Sequence, residues 1–283
     1  MKVAVTGATG RLGRALVAVL DDPVPWGRDE FDLDHPQSPG EQLDRARIEA
    51  VIHAAAWTDV DGCARDPDRA LRRNGVASGV LARACADRGL PMILVSTNEV
   101  FDGRRIDGRG YGPHDEPRPI NPYGASKLAG ERAAIEAYGG SPGELGIVRT
   151  AWLYGPPGND FPAKILAAGR RAAGEGQRLR VVGDEVGSPT YSADLAPAIA
   201  GLLRSQRRGG THHVVNGGSA SRAGWAREVF RLSGLGVEID EVPASTWQRA
   251  STPPLWAVLE DRAGEALRPW QQALADYLPV LVG

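Results

Sequence analysis

Cysteine is almost missing from this chain: Cys63 and Cys85 are the only two in 283 residues. They have neither metal-ligand spacing nor a framework of partners, which excludes a disulfide scaffold or a small zinc module, and both read as small helix residues in a reduced compartment. Long apolar runs are missing too. No stretch approaches the roughly 18 residues needed to span a bilayer, so no membrane partner is expected. Met1-Lys2 leads into an apolar run of four residues, too short for a signal peptide, and a cytoplasmic protein is expected. Charge of one sign is not in excess either. The net charge is −2 with acids and bases interspersed, which argues against a nucleic-acid surface. Lysine is the scarcest charge, with Lys2, Lys127 and Lys164 supplying three of 33 basic residues. Wherever a generic cation would serve, this composition supplies arginine, so each lysine asks for a reason.

What remains is an ordinary globular composition, 42% apolar, long enough for one large domain or two modest ones. No internal repeat or low-complexity tract appears. Val3-Ala4-Val5-Thr6 reads as a short strand, followed at once by Gly7-Ala8-Thr9-Gly10-Arg11-Leu12-Gly13 and a helix to about Leu20. In a strand–turn–helix context Gly7 allows the tight turn, Gly10 lets backbone approach a pyrophosphate, and Gly13 permits close packing of helix on strand. The first turn is therefore expected to bind a dinucleotide through Gly7, Gly10, Arg11, Leu12 and Gly13, although the spacing is G-x-x-G-x-x-G rather than the commoner G-x-G-x-x-G.

A second strand near Val24–Trp26 ends in Gly27-Arg28. An NAD-selective site usually has an acid there for the ribose 2′-hydroxyl, whereas Arg28 suits a 2′-phosphate. NADPH is thus the expected cofactor, with NADH left open by Asp29 and Glu30. By position Asp34 and His35 would touch the adenine, though His35 also reads as an ordinary loop histidine. A third strand, Ala50 to Ala56, ends in the small residues Ala54, Ala55 and Ala56, which leave room for a ligand at the carboxyl ends of the strands. A helix from about Pro67 to Arg88, a strand Pro91–Thr97, a Gly/Pro/Arg-rich loop from Asp102 to Ile120 suited to a substrate flap, and a strand from Gly146 follow.

These repeated strand–helix units imply an α/β protein with a Rossmann-type doubly wound parallel sheet. After Gly155 the order changes: a helix over 159–175, a strand Arg178–Val182, a loop Asp184–Tyr191, a helix from Ser192 capped by that serine, and a strand from Gly210 returning to the sheet. The expected division is a cofactor-binding domain at 1–155 completed by about 190–217, and a smaller, discontinuous C-terminal substrate cap made of 156–189 and 218–283.

Between the loop and the fifth strand lies the stretch that carries chemistry. Asn121-Pro122 opens a helix, and Tyr123 and Lys127 stand at i and i+4 on one face of it. A fixed ammonium beside a phenol favours the phenolate, so Lys127 is expected to pull the Tyr123 pKa down. Lysine offers a compact donor that the planar guanidinium does not. Thr97, at the end of the fourth strand, is placed to donate to a substrate oxygen beside the tyrosine.

Taken together, Gly7-Gly10-Gly13, Ser96-Thr97 and Tyr123/Lys127 resemble the extended short-chain dehydrogenase/reductase family. Ala54–Asp61, Ser96–Gly103, Asn121–Glu131, Arg149–Gly155 and Gly187–Thr190 narrow this, since they resemble the dTDP-4-dehydrorhamnose reductase family in that family's order along almost the whole chain. The resemblance implies NADPH-dependent reduction of the C4 ketone of a nucleotide-linked 6-deoxy-4-keto-hexose. Tyr123 would be the general acid, with Lys127 lowering its pKa and holding the nicotinamide ribose and Thr97 orienting the ketone oxygen. Asn98, Glu99, Trp152, Ser188 and Thr190 would contact the substrate.

No metal-ligand cluster is evident, and a magnesium ion at a subunit interface, used by some relatives, is left open; the chain is expected to act as a monomer or homodimer. Two departures from the family pattern bear on the substrate. Asn98-Glu99 stand where Asp-Tyr is common, and Ala257–Glu260 ends in a glutamate where the family tends to have an aspartate. A reductase of another nucleotide-linked 4-keto sugar is therefore the neighbouring reading. A non-catalytic NADP-binding subunit is a further one, against which Tyr123 and Lys127 both stand.

Overall fold

The computed structural model describes residues 1–260 and 267–282. Five strands, β1 (Lys2–Thr6), β2 (Asp22–Trp26), β3 (Ala50–His53), β4 (Met92–Thr97) and β5 (Leu145–Thr150), join a sixth, Gly210–His213, in one sheet. Its order is Gly210–His213, β5, β4, β3, β1, β2, and every pairing is parallel. Parallel strands need helical crossovers, and these cover both faces, so the strands read as apolar runs rather than alternating ones.

Alternation is then between two cores. Ala4, Val51, Met92 and Leu94 pack on one face with Leu81 and Tyr138 of the helices above them. Val3, Val5, Ile52, Ile93 and Val148 pack on the other with Leu16, Leu195 and Ile199. This is the expected doubly wound, Rossmann-like α/β fold. Strand order reverses at β1, between β2 and β3, which is where such sheets bind ligands.

A third core lies apart from the sheet and is aromatic: Tyr154, Tyr191, Trp225, Phe230, Trp270 and Tyr277 pack together. It joins the helices Phe161–Gly174, Arg222–Ser233 and Trp270–Val282. Short two- and three-residue strands connect this region, among them Val186–Gly187, which pairs with Ala220–Ser221 and Trp256–Ala257.

Local readings differ from the structure in four places. β3 stops at His53, and Ala54–Ala56 leave the sheet as irregular chain. The helix after Pro67 is interrupted by a π-helical turn, Leu71–Val76, before resuming as Ala77–Ala86. Asp184–Tyr191 is not only loop, since Val186–Gly187 and Thr190–Tyr191 are strands. Ser192 is the first residue of its helix and not its cap, which falls on Tyr191 with no side-chain hydrogen bond.

Candidate active site

At the β1 turn the glycines are required by contact. Gly7 has φ +66°, and a Cβ on it would lie 2.8 Å from the Ala55 Cα. A Cβ on Gly13 would lie 2.1 Å from the Gly7 carbonyl oxygen. Gly10 begins the helix Arg11–Val19 without a side-chain cap, and no acid stands in its first turn. The unpaired backbone N–H groups and the positive end of the helix dipole are thus left for an anion. Leu12 is buried behind the turn. Arg11 lines the cavity that opens at this turn, its guanidinium donating to the Gly155 carbonyl (3.0 Å) and to Asn159 Oδ1 (2.5 Å).

One cavity of about 650 Å³ runs from this turn to the end of β4, lined by the glycines, Arg28, Asp34, Ala54–Ala56, Thr97, Asn98, Glu99, Tyr123, Lys127 and Trp152. A backbone cradle that side chains would fill, opening into an elongated cavity, fits a dinucleotide. Arg28 is exposed on its wall, while nearby Glu30 is engaged by the Gly27 N–H (2.7 Å). Asp34 is clamped by Arg73 and Arg69, whose guanidinium groups hold its carboxyl well below the usual range. His35 does not join them. Its ring is 85% exposed and leans on Asp32 at 3.4 Å, outside the residues that line the cavity.

The Ala54–Ala56 segment is fixed by a buried polar chain that carried no sequence signal beyond polar residues in apolar runs. Thr6 Oγ1 accepts from the Ala55 N–H (3.2 Å) and donates to His53 Nδ1 (2.7 Å). His53 Nε2 donates to Ser78 Oγ (3.2 Å), which donates to the Asn74 carbonyl (2.7 Å). Burial, and secondarily the Lys127 charge, holds the His53 pKa down at about 3, so the ring is neutral and the chain runs in one direction. Asn74 then accepts from the Trp57 N–H (2.8 Å) and donates to Ser126 Oγ (3.0 Å).

Asn121 caps the helix Pro122–Tyr138 by accepting from the Gly124 N–H (2.8 Å). This sets Tyr123 in the first turn and Lys127 one turn on, both buried beside Thr97. Lys127 Nζ donates to the Val95 carbonyl (2.8 Å), and burial lowers its pKa to about 8 against the opposing pull of Glu131. The expected effect of lysine on tyrosine is not what the structure shows. Burial first and the Glu99 carboxylate second push the Tyr123 phenol above its ordinary value, and only its hydrogen bond with Thr97 pulls it down. Burial dominates, and the geometry adds to it: the ammonium donates to the Val95 carbonyl, whereas the Glu99 carboxylate acts on the phenol.

Around the far end, Asn98 Nδ2 donates to the Ala257 carbonyl (3.3 Å). Glu99 accepts from Asn121 Nδ2 (2.7 Å). Trp152 stands at φ +41°, a region that a bulky residue enters only when its surroundings hold it there. Its ring is stacked on Trp225 at 5.6 Å and covered by the Arg222 guanidinium at 3.6 Å. Ser188 and Thr190 are fully buried and do not line the cavity. Thr190 Oγ1 donates to the Ser188 carbonyl (3.1 Å) and Ser188 Oγ accepts from the Leu259 N–H (3.2 Å). Their hydroxyls are thus engaged within the turn and stand outside the residues that line the cavity.

Sequence reasoning passed over the second cavity, about 370 Å³, lined by Phe161, Lys164, Arg180, Trp247, Arg249 and Arg222 among others. Arg222 lines both cavities and so forms the wall between them. In a chain this rich in arginine nothing marked these cations out. Among the described residues no group of three or more His, Cys, Asp or Glu is placed to hold a metal ion, and no helix is long and apolar enough to cross a membrane.

A family model described as the RmlD substrate binding domain matches residues 1–282. The chain is 39% identical to a dTDP-4-dehydrorhamnose reductase of Mycobacterium tuberculosis, over 98% of this chain and 92% of the relative. It is 36% identical to a dTDP-4-keto-6-deoxy-D-glucose reductase of Streptomyces niveus, over 98% and 96%. Among solved structures it is similar to the dTDP-4-dehydrorhamnose reductase of Bacillus anthracis in complex with NADP, with a TM-score of 0.88, 32% identity and coverage of 99% and 100%.

Proposed function

The chain belongs to the dTDP-4-dehydrorhamnose reductase family of NAD(P)H-dependent dTDP-sugar 4-ketoreductases, and we propose that it uses NADPH to reduce dTDP-4-dehydro-L-rhamnose to dTDP-L-rhamnose. The observation that carries this reading is the single cavity that joins the glycine turn at one end to Thr97, Tyr123 and Lys127 at the other. In this reading residues 1–155, completed by about 190–217, hold the cofactor, and 156–189 with 218–283 hold the sugar nucleotide.

Leu12 and Gly13 present backbone N–H groups to the cofactor pyrophosphate, Gly7 and Gly10 let the backbone come close to it, and Arg28 meets the 2′-phosphate; the NADP in the Bacillus anthracis relative supports that choice. The bound nicotinamide supplies the hydride. Thr97 orients the ketone oxygen, and Tyr123 gives its proton to the developing alkoxide. A phenol held fully protonated by its surroundings is well suited to that task. Lys127, one turn on along the same helix and lining the same cavity, holds the nicotinamide ribose. The sugar lies against Trp152. Its diphosphate reaches past Arg222 toward Arg249, Arg180 and Lys164, with Trp247, under Arg180 at 5.6 Å, offering a face for the base.

Asn98 and Glu99, with the Streptomyces niveus relative, favour as second reading a reductase of another dTDP-linked 4-keto-6-deoxy sugar. The test is cofactor oxidation by the purified protein, followed by absorbance, with each of the two keto sugars made in situ and with NADPH or NADH. The product configuration at C4 is then read by NMR. Turnover of dTDP-4-dehydro-L-rhamnose with preference for NADPH supports the first reading. Turnover of only the other sugar replaces it with the second.

A further inference from the structure

Glu99 has no place in the scheme above, yet it stands beside the proton donor. Its backbone is pressed onto the Tyr123 helix, so closely that a Cβ on Gly124 would lie 2.0 Å from the Glu99 carbonyl oxygen. One carboxylate oxygen accepts from Asn121 Nδ2 at 2.7 Å, and among the described residues the other accepts no hydrogen bond while the side chain lines the cavity. The groups that act on it from neighbouring elements are Tyr123, Arg222, Arg249 and Glu185. Glu185 is buried and paired directly with both guanidinium groups, at 3.4 Å to Arg222 and 2.9 Å to Arg249. Two carboxylates and two guanidinium groups thus balance one another, and Arg222 and Arg249 are also two of the four cations that line the second cavity.

A diphosphate entering that cavity adds negative charge where the arginines stand and competes for them. Glu185 is buried and already paired with both guanidinium groups, whereas Glu99 lines the cavity with an open oxygen and no ion pair of its own. We propose that Glu99 is a second proton-carrying group of this site, taking up a proton when the substrate's diphosphate engages Arg222 and Arg249 and giving it to the Tyr123 phenolate after the ketone is reduced. The inference rests on the dTDP-sugar reading above.

The balance closes over one turnover. The ketone gains a hydride from the reduced cofactor and a proton from the Tyr123 hydroxyl. The Glu99 carboxyl O–H bond breaks as the tyrosine O–H bond re-forms, and the carboxylate left behind again feels the positive charge of the nearby arginines when the product leaves. The proton taken from solvent on binding is the one the reaction consumes. The other flank of Tyr123 offers no comparable route. Behind Lys127 stands Glu131, locked by Arg149 at 3.0 and 2.6 Å and by Ser96 at 2.5 Å, a closed ion pair inside the protein.

The experiment is calorimetric titration of the whole protein with dTDP, near pH 8, in two buffers of different ionisation enthalpy. Wild type should take up a proton fraction approaching about one per dTDP bound. Glu99→Gln, which keeps an oxygen for Asn121, should bind dTDP with no uptake, and Glu99→Asp should restore part of it. With the keto sugar, the alkaline limb of the kcat profile should move down by about one pH unit in Glu99→Gln, with KM changed less than about threefold. Binding of dTDP by wild type without proton uptake, equal uptake by Glu99→Gln, or an unmoved pH limb would each overturn the proposal and leave the substrate reading standing. Failure of dTDP to bind wild type would overturn both.

Discussion

Gly187 and Trp152 touch where no side chain fits: a Cβ on Gly187 would lie 2.5 Å from Cε2 of the indole. The tryptophan is held at a positive φ between this glycine, Trp225 and Arg222. Gly187→Ala should displace the indole from the sugar end of the cavity. We expect kcat/KM for the keto sugar to fall about tenfold or more, mostly through KM, at a stability cost of about 1–3 kcal/mol. Unchanged kinetics in the alanine variant would show that the indole face does not hold substrate.

Cofactor choice is assigned to Arg28. Arg28→Ala should raise KM for NADPH about 10- to 100-fold while leaving NADH nearly untouched, as expected for loss of a charge-assisted contact to a 2′-phosphate. Steady-state kinetics with both cofactors checks this, and an equal loss with both would move the phosphate reader elsewhere, with Arg73 the next cation on the cavity wall.

Neutral His53 should leave a mark on acid stability. Its folded pKa of about 3 lies below the ordinary 6.5, so its contribution is complete above about pH 6.5 and is lost as pH falls toward 3. At pH 5 the loss should reach about 2 kcal/mol, from a gap of about 1.5 pH units. Thermal melts of wild type and His53→Gln at pH 7 and pH 5 should show the wild type losing more. Parallel losses would mean that the ring takes up a proton in place.

Much of this was legible in residues whose spacing has only one mechanical use. The glycine trio after an apolar strand and the Tyr123–Lys127 turn located both ends of the cavity, because backbone approach and i,i+4 geometry are local properties. Ser188 and Thr190 lie buried outside the cavity lining, which could not be read in advance because a motif gives position along the chain and not which way a buried hydroxyl faces. The Thr6–His53–Ser78 chain and the Arg222–Glu185–Arg249 cluster were invisible for another reason. Their members come from separate elements, and in a chain with so many arginines the important ones look like the rest.

The site also carries a cost that should be measurable. Lys127 has its pKa lowered to about 8 from 10.5 by burial, so its charge opposes folding below that value. Stability relative to Lys127→Met should rise between about pH 8 and 10.5, where the unfolded chain still binds the proton. Melts at pH 7.5 and pH 10 on the cofactor-free proteins test the sign. A difference that stays constant or shrinks would contradict it.

Tyr123→Phe gives the most direct test, because it removes one oxygen at the point where every line of this account meets. With NADPH and dTDP-4-dehydro-L-rhamnose, the account predicts that kcat falls at least about 100-fold while NADPH still binds with an affinity close to that of the wild type. A Tyr123→Phe protein that reduces the sugar at a rate comparable to wild type would contradict the assignment of Tyr123 as the proton donor.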